Sequence, residues 1–80
     1  MQLSEAFSKR IIELMNERNW SDYRLSMESA VPTSTVSNIV LSKCKSCNLT
    51  TVLNFCRGFG ITFENFFASK LFKLENLNDD

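Results

Sequence analysis

Thr33, Ser34, Ser37 and Asn38 are four short hydrogen-bonding side chains inside the stretch VPTSTVSNIVLSK, residues 31 to 43. If Thr33 opens a helix, they share one arc at 100° per residue, and Val36, Ile39 and Val40 fall on the opposite arc. Hydroxyls and an amide donate and accept hydrogen bonds without carrying charge. A face that needed only solvation would favour Glu, Lys and Arg, which are better helix formers than Ser, Thr and Asn. The arc holds no carboxylate, so it suits contact with a partner's polar edge better than proton-transfer chemistry.

The cysteines are the second group able to do chemistry. Cys44 and Cys47 form CKSC, and Cys56 follows a few turns later. A structural zinc takes four ligands, and with three cysteines and no histidine a complete site needs a second chain or a carboxylate. Redox CxxC pairs sit at a helix start beside a βαβ pattern, which this chain lacks. The three therefore read as reduced thiols, with Cys56 in the core, and neither a metal nor another cofactor is expected. There is no histidine for acid–base work, no phosphate loop and no carboxylate pair at a telling spacing. These absences predict a non-enzyme without a small-molecule substrate.

Eighty residues, 44% of them hydrophobic, allow one domain with one core. Two glycines, one proline and no long alternating Val/Ile/Thr runs point to an all-α fold. No apolar run approaches the roughly 18 residues of a membrane span, and MQLSEAFSKR lacks the apolar centre of a signal peptide, so a cytoplasmic protein without membrane contact is expected. Net charge is zero, but its distribution is uneven: no Asp or Glu occurs from Ser29 to Phe63, a segment holding Lys43, Lys45 and Arg57. The electropositive part of the chain is its middle.

The elements that must position these groups follow from periodicity and capping. SEAFSKRIIELMNERN reads as a first helix, with Ser4 as N-cap and Leu3, Phe7, Ile11 and Leu14 inward. WSDYRLSMES restarts a short helix, with Ser21 as N-cap, Asp22 on the positive end of the dipole and Trp20 stapled onto Leu25. Ala30 and Val31 leave room for only a tight turn before Pro32, which suits a helix's first turn. Two short helices so joined are a helix-turn-helix unit, and its second helix is the one bearing Thr33 to Asn38. NLTTVLNFCRGFG reads as a fourth helix, capped by Asn48, with Leu49, Val52, Leu53, Phe55, Cys56 and Phe59 inward and Gly60 ending it. Gly58 costs about 1 kcal/mol inside that helix, which predicts a close neighbouring backbone. TFENFFASKLFKLENL gives a fifth helix capped by Thr62, which either continues or bends into an apolar tail.

Taken in order, WSDYRLSMESAVPTSTVSNI, NLTTVLNFCRGFGIT and FENFF resemble the Cro/XRE-type, lambda-repressor-like helix-turn-helix DNA-binding family, over residues 4 to 68. The resemblance implies an all-α, five-helix domain at residues 1–68 with a short C-terminal extension at 69–80. It implies a sequence-specific transcriptional regulator, a small phage- or bacterial-type repressor reading the major groove of double-stranded DNA with helix three. Carried over by position, the base contacts fall to Thr33, Ser34, Ser37 and Asn38, with Leu41 near a thymine methyl. The phosphate contacts fall to Tyr23, Lys43, Lys45 and the helix-two amides. The chain departs from the family's usual pattern at Asp22, commonly Gln, at Ala30, commonly Gly, and at Met15 and Val40, where many relatives carry an Arg–Glu pair.

Leu71, Phe72, Leu74 and Leu77 lie beyond the family's five helices. With Phe66 and Phe67 they are expected to form a homodimer contact, unless the tail folds back on its own domain. The alternative function is a helix-turn-helix module turned to protein recognition, such as the antitoxin partner of a toxin, which Asp22 and the zero net charge would suit.

Overall fold

Gln2 is held extended by a parallel bridge to Asn78, and the chain turns helical immediately after it. The computed structural model describes residues 1–41 and 48–78. The first helix, α1, spans Leu3–Arg18 with Gln2 as N-cap. Ser4, expected as the cap, lies inside the first turn because the Gln2–Asn78 pairing sets the helix start earlier. Asn19 closes α1 in the left-handed conformation that asparagine tolerates.

Helix α2, Asp22–Ser29, is capped as its sequence requires, with Ser21 Oγ accepting from the Arg24 amide at 3.2 Å. Ala30 ends it at φ 60°. A non-glycine residue there costs about 1–2 kcal/mol. Helix α3, Thr33–Val40, starts directly after Pro32, whose carbonyl accepts from the Thr35 and Val36 amides. Helix α4, Leu49–Phe59, is capped by Asn48 Oδ1, 2.8 Å from the Thr51 amide, and closed by Gly60 at φ 73°. Helix α5, Phe63–Phe66, is a single turn capped by Thr62. The chain then bends, as one of the two sequence readings allowed, into 3₁₀ turns at Lys70–Phe72 and Leu74–Asn76. The described residues form an all-α domain.

One core joins these elements. Phe7, Ile11, Leu14 and Met15 of α1 meet Leu25, Val36, Ile39 and the Val52, Phe55, Cys56 and Phe59 stripe of α4. Leu53 is half-buried, and Leu49, expected inward, is exposed because the buried stripe begins one turn later. Trp20 is partly buried and packs against this core, of which Leu25 is a member. Its ring stacks on Phe59, with centroids 5.4 Å apart and planes 17° from parallel, and this ties the α1–α2 corner to the end of α4. Met15 is buried and Val40 packs against the same core, so an apolar environment stands where relatives carry an ion pair.

The tail is docked on its own domain. The Phe72 ring meets Phe67 edge-on at 4.9 Å and Phe66 at 5.9 Å, and the first 3₁₀ turn packs on α1. The Met1 carbonyl accepts from the Asn78 amide at 2.7 Å, and the Met1 ammonium donates to the Asn76 carbonyl at 3.0 Å. Arg10 fixes α5 from the side: its Nε donates to the Phe66 carbonyl at 2.8 Å and Nη2 to the Asn65 carbonyl at 2.9 Å. Among the described residues no helix is long and apolar enough to cross a membrane.

Candidate nucleic-acid interface

Packing of α2 and α3 is the first determinant of the interface. α2 lies against both α4 and α3, and Leu25, Val36 and Ile39 are buried between them. From the other side Ser8 of α1, itself buried, donates to the Ile39 carbonyl at 2.7 Å. This bond occupies a carbonyl near the C-terminal end of α3 and fixes how that end sits on α1. With its apolar arc so held, α3 turns the Thr33–Asn38 arc outward.

Thr33, Ser34 and Asn38 are exposed and Ser37 is half-buried. Ser34 and Asn38 make no side-chain hydrogen bond among the described residues. Thr33 and Ser37 are tied to α2: Thr33 Oγ1 donates to Ser26 Oγ at 3.0 Å, and Ser37 Oγ donates to Asp22 Oδ2 at 3.2 Å. Ser26 Oγ in turn donates to the Val31 carbonyl at 2.7 Å, closing a chain of hydroxyls across the turn. No sequence spacing announces the Asp22–Ser37 pair, fifteen residues apart. Its partners meet only once α2 and α3 have packed.

Tyr23 is 65% exposed at the start of α2, and Leu41 is exposed at the C-cap of α3. Lys43, Lys45, Cys44 and Cys47 lie outside the described residues. Arg57 is exposed on α4. Of the expected dimer residues, Phe66 is fully buried in its own domain's core and presents no free face, and Phe72 is half-buried against that core. Both take part in the tail's docking on its own domain. Leu71 and Leu77 are half-buried, Phe67 is exposed, and Leu74 is 87% exposed.

Cys56 is buried and its thiol points to the Thr62 carbonyl, 3.9 Å away. Burial pushes the thiol's pKa up, partly offset by the Arg10 guanidinium. A thiol so placed is a core side chain and not a nucleophile. Among the described residues no cluster of three or more His, Cys, Asp or Glu side chains is arranged to hold a metal.

No curated protein and no solved structure matches the chain significantly. A family model does: residues 10–68, which include the whole of the α2–turn–α3 unit, match the model of the Cro/C1-type helix-turn-helix DNA-binding domain. The matched residues include the outward polar arc on α3 and the α2 and α4 residues that hold it. The chain belongs to the Cro/C1-type helix-turn-helix DNA-binding domains.

Proposed function

We propose that the protein is a sequence-specific transcriptional repressor that reads the major groove of double-stranded DNA with α3. The observation that carries this reading is the arc of Thr33, Ser34, Ser37 and Asn38, free of carboxylates and turned outward by a helix otherwise committed to the core. Asn38 and Ser34 keep rotatable donors and acceptors, and Asn pairs bidentately with adenine N6 and N7. Tyr23, Lys43 and Lys45 are assigned to the phosphates. A duplex partner implies a cytoplasmic protein. The antitoxin reading loses its main support because Asp22 has a partner within the domain in Ser37.

Self-association follows from the same reading, because paired recognition helices meet half-sites one helical turn, about 10 to 10.5 base pairs, apart. With Phe66 fully buried, the apolar groups with surface to offer a second copy are Phe67 and Leu74, with the half-buried Leu71, Phe72 and Leu77 beside them. Sedimentation of Leu74→Lys against the parent chain tests this contact.

Fluorescence anisotropy against a duplex selected by the protein and against random duplex, at low and moderate salt, tests the assignment. Asn38→Ala is expected to cost about 1 to 3 kcal/mol on the selected duplex and little on the random one. Lys43→Ala is expected to weaken both alike and to lower the salt slope by about one. Equal effects of the two variants on both duplexes, or no binding at low salt, would refute the assignment of α3 to the major groove.

A further inference from the structure

Two of the four hydroxyl and amide groups on the α3 arc have already placed their protons. Asp22 Oδ2 and Ser37 Oγ are 3.2 Å apart, and a carboxylate oxygen has only lone pairs to offer, so the hydrogen between them belongs to Ser37. The Val31 carbonyl likewise only accepts, so Ser26 gives its proton there, and the 3.0 Å contact between Thr33 and Ser26 must use the proton of Thr33. Each of these two hydroxyls retains lone pairs and has no proton left to offer. The Asp22 carboxylate, beside Ser37, adds further lone pairs. Turning Ser37 outward to donate would break a charge-assisted bond, the stronger kind, and leave Asp22 without that partner.

Resting on the DNA-binding reading above, we infer that Thr33 and Ser37 are acceptor-only specificity determinants, which select adenine N6 or cytosine N4 at the base each one faces and so fix which strand of that pair carries the amine. Guanine O6 and N7 and thymine O4 are acceptors and find no donor in these two hydroxyls. The same bond gives Asp22 a role, since its charge near the phosphates fixes the hydrogen-bonding sense of the neighbouring serine. Donation to the bases is left to Ser34 and Asn38. The readout along α3 is therefore divided into two polarities by bonds made behind the interface.

The test starts from duplexes selected by the full chain from a random-sequence library. In the selected duplex each adenine is replaced in turn by purine and each cytosine by 2-pyrimidinone, which removes the amine alone. At one base pair or more, loss of the amine is expected to weaken binding by the parent protein about tenfold, and Ser37→Ala or Thr33→Val is expected to erase that difference at the same pair. Asp22→Ala frees the Ser37 proton, so a second selection with this variant is expected to shift that pair toward an accepting guanine or thymine edge. An enriched site in which no amine deletion couples to either hydroxyl would overturn the inference and leave the DNA-binding reading standing. Failure to enrich any site, with no binding of random duplex at low salt, would overturn that reading itself.

Discussion

Gly58 of α4 faces the backbone of Ser29 at the end of α2 so closely that a Cβ at position 58 would stand 3.0 Å from the Ser29 Cα and N. The Ser29 side that would have to yield is held twice, by its hydroxyl's bond to the Leu25 carbonyl at 2.6 Å and by the Val31 amide's bond to that hydroxyl at 3.3 Å. Gly58→Ala gains about 1 kcal/mol of helix propensity. It is nonetheless expected to destabilise the domain, by roughly 1 to 3 kcal/mol, because a packed interface must open. Urea melts that show the alanine variant to be more stable would mean that α2 yields freely.

Ala30 presents the opposite case. Its φ of 60° is strained for a side chain, and glycine adopts it without steric cost. Ala30→Gly is expected to raise stability by about 1 kcal/mol, a gain of about 4 to 8 °C in Tm for a domain of this size. A lower Tm would show that the alanine methyl makes a contact worth more than the strain.

The buried Ser8 hydroxyl links α1 to α3. Ser8→Ala leaves the Ile39 carbonyl without its side-chain donor and is expected to cost about 1 to 2 kcal/mol in chemical denaturation. Because the lost bond holds the C-terminal end of α3, the variant is also expected to bind a selected duplex more weakly at temperatures where it remains folded. Normal affinity at those temperatures would confine the role of Ser8 to stability.

Cys56 supplies a pH dependence whose sign is fixed. Its folded pKa is raised, chiefly by burial, so the unfolded chain releases the thiol proton first as pH rises. The stabilisation is complete below the unfolded thiol's pKa, about 8.5, and is lost as pH climbs from there through the folded value. Cys56→Ala is expected to show a shallower loss of stability between about pH 8 and 10 than the parent chain. In a Cys44→Ser, Cys47→Ser background, alkylation of Cys56 should follow global unfolding. Rapid modification of the native protein would contradict the burial.

Local chemistry was legible in the sequence wherever one residue decides an element's end. Ser21, Asn48 and Thr62 cap their helices and Gly60 ends α4, because capping is a contact within one turn. Gly58 was legible as a close approach, though not its partner Ser29. Contacts between distant segments were not legible: Gln2 displaced Ser4 as a cap through Asn78, and no spacing announced the stacking of Trp20 on Phe59. For the interface, periodicity placed the polar arc of α3 outward but said nothing about which groups on it were already paired. Ser37 and Asp22 meet only through tertiary packing, as do Thr33 and its acceptor Ser26.

The stacking of Trp20 on Phe59 has a practical use. Trp20 is the chain's single tryptophan, with the Arg24 guanidinium 5.2 Å from its ring centroid and Arg18 at 5.9 Å, where α1, α2 and α4 converge. Its indole is an intrinsic optical gauge of that corner. Emission changes when either α2 or the end of α4 moves away from it, so the effects of substitutions at positions 30 and 58 can be followed at one wavelength without a label.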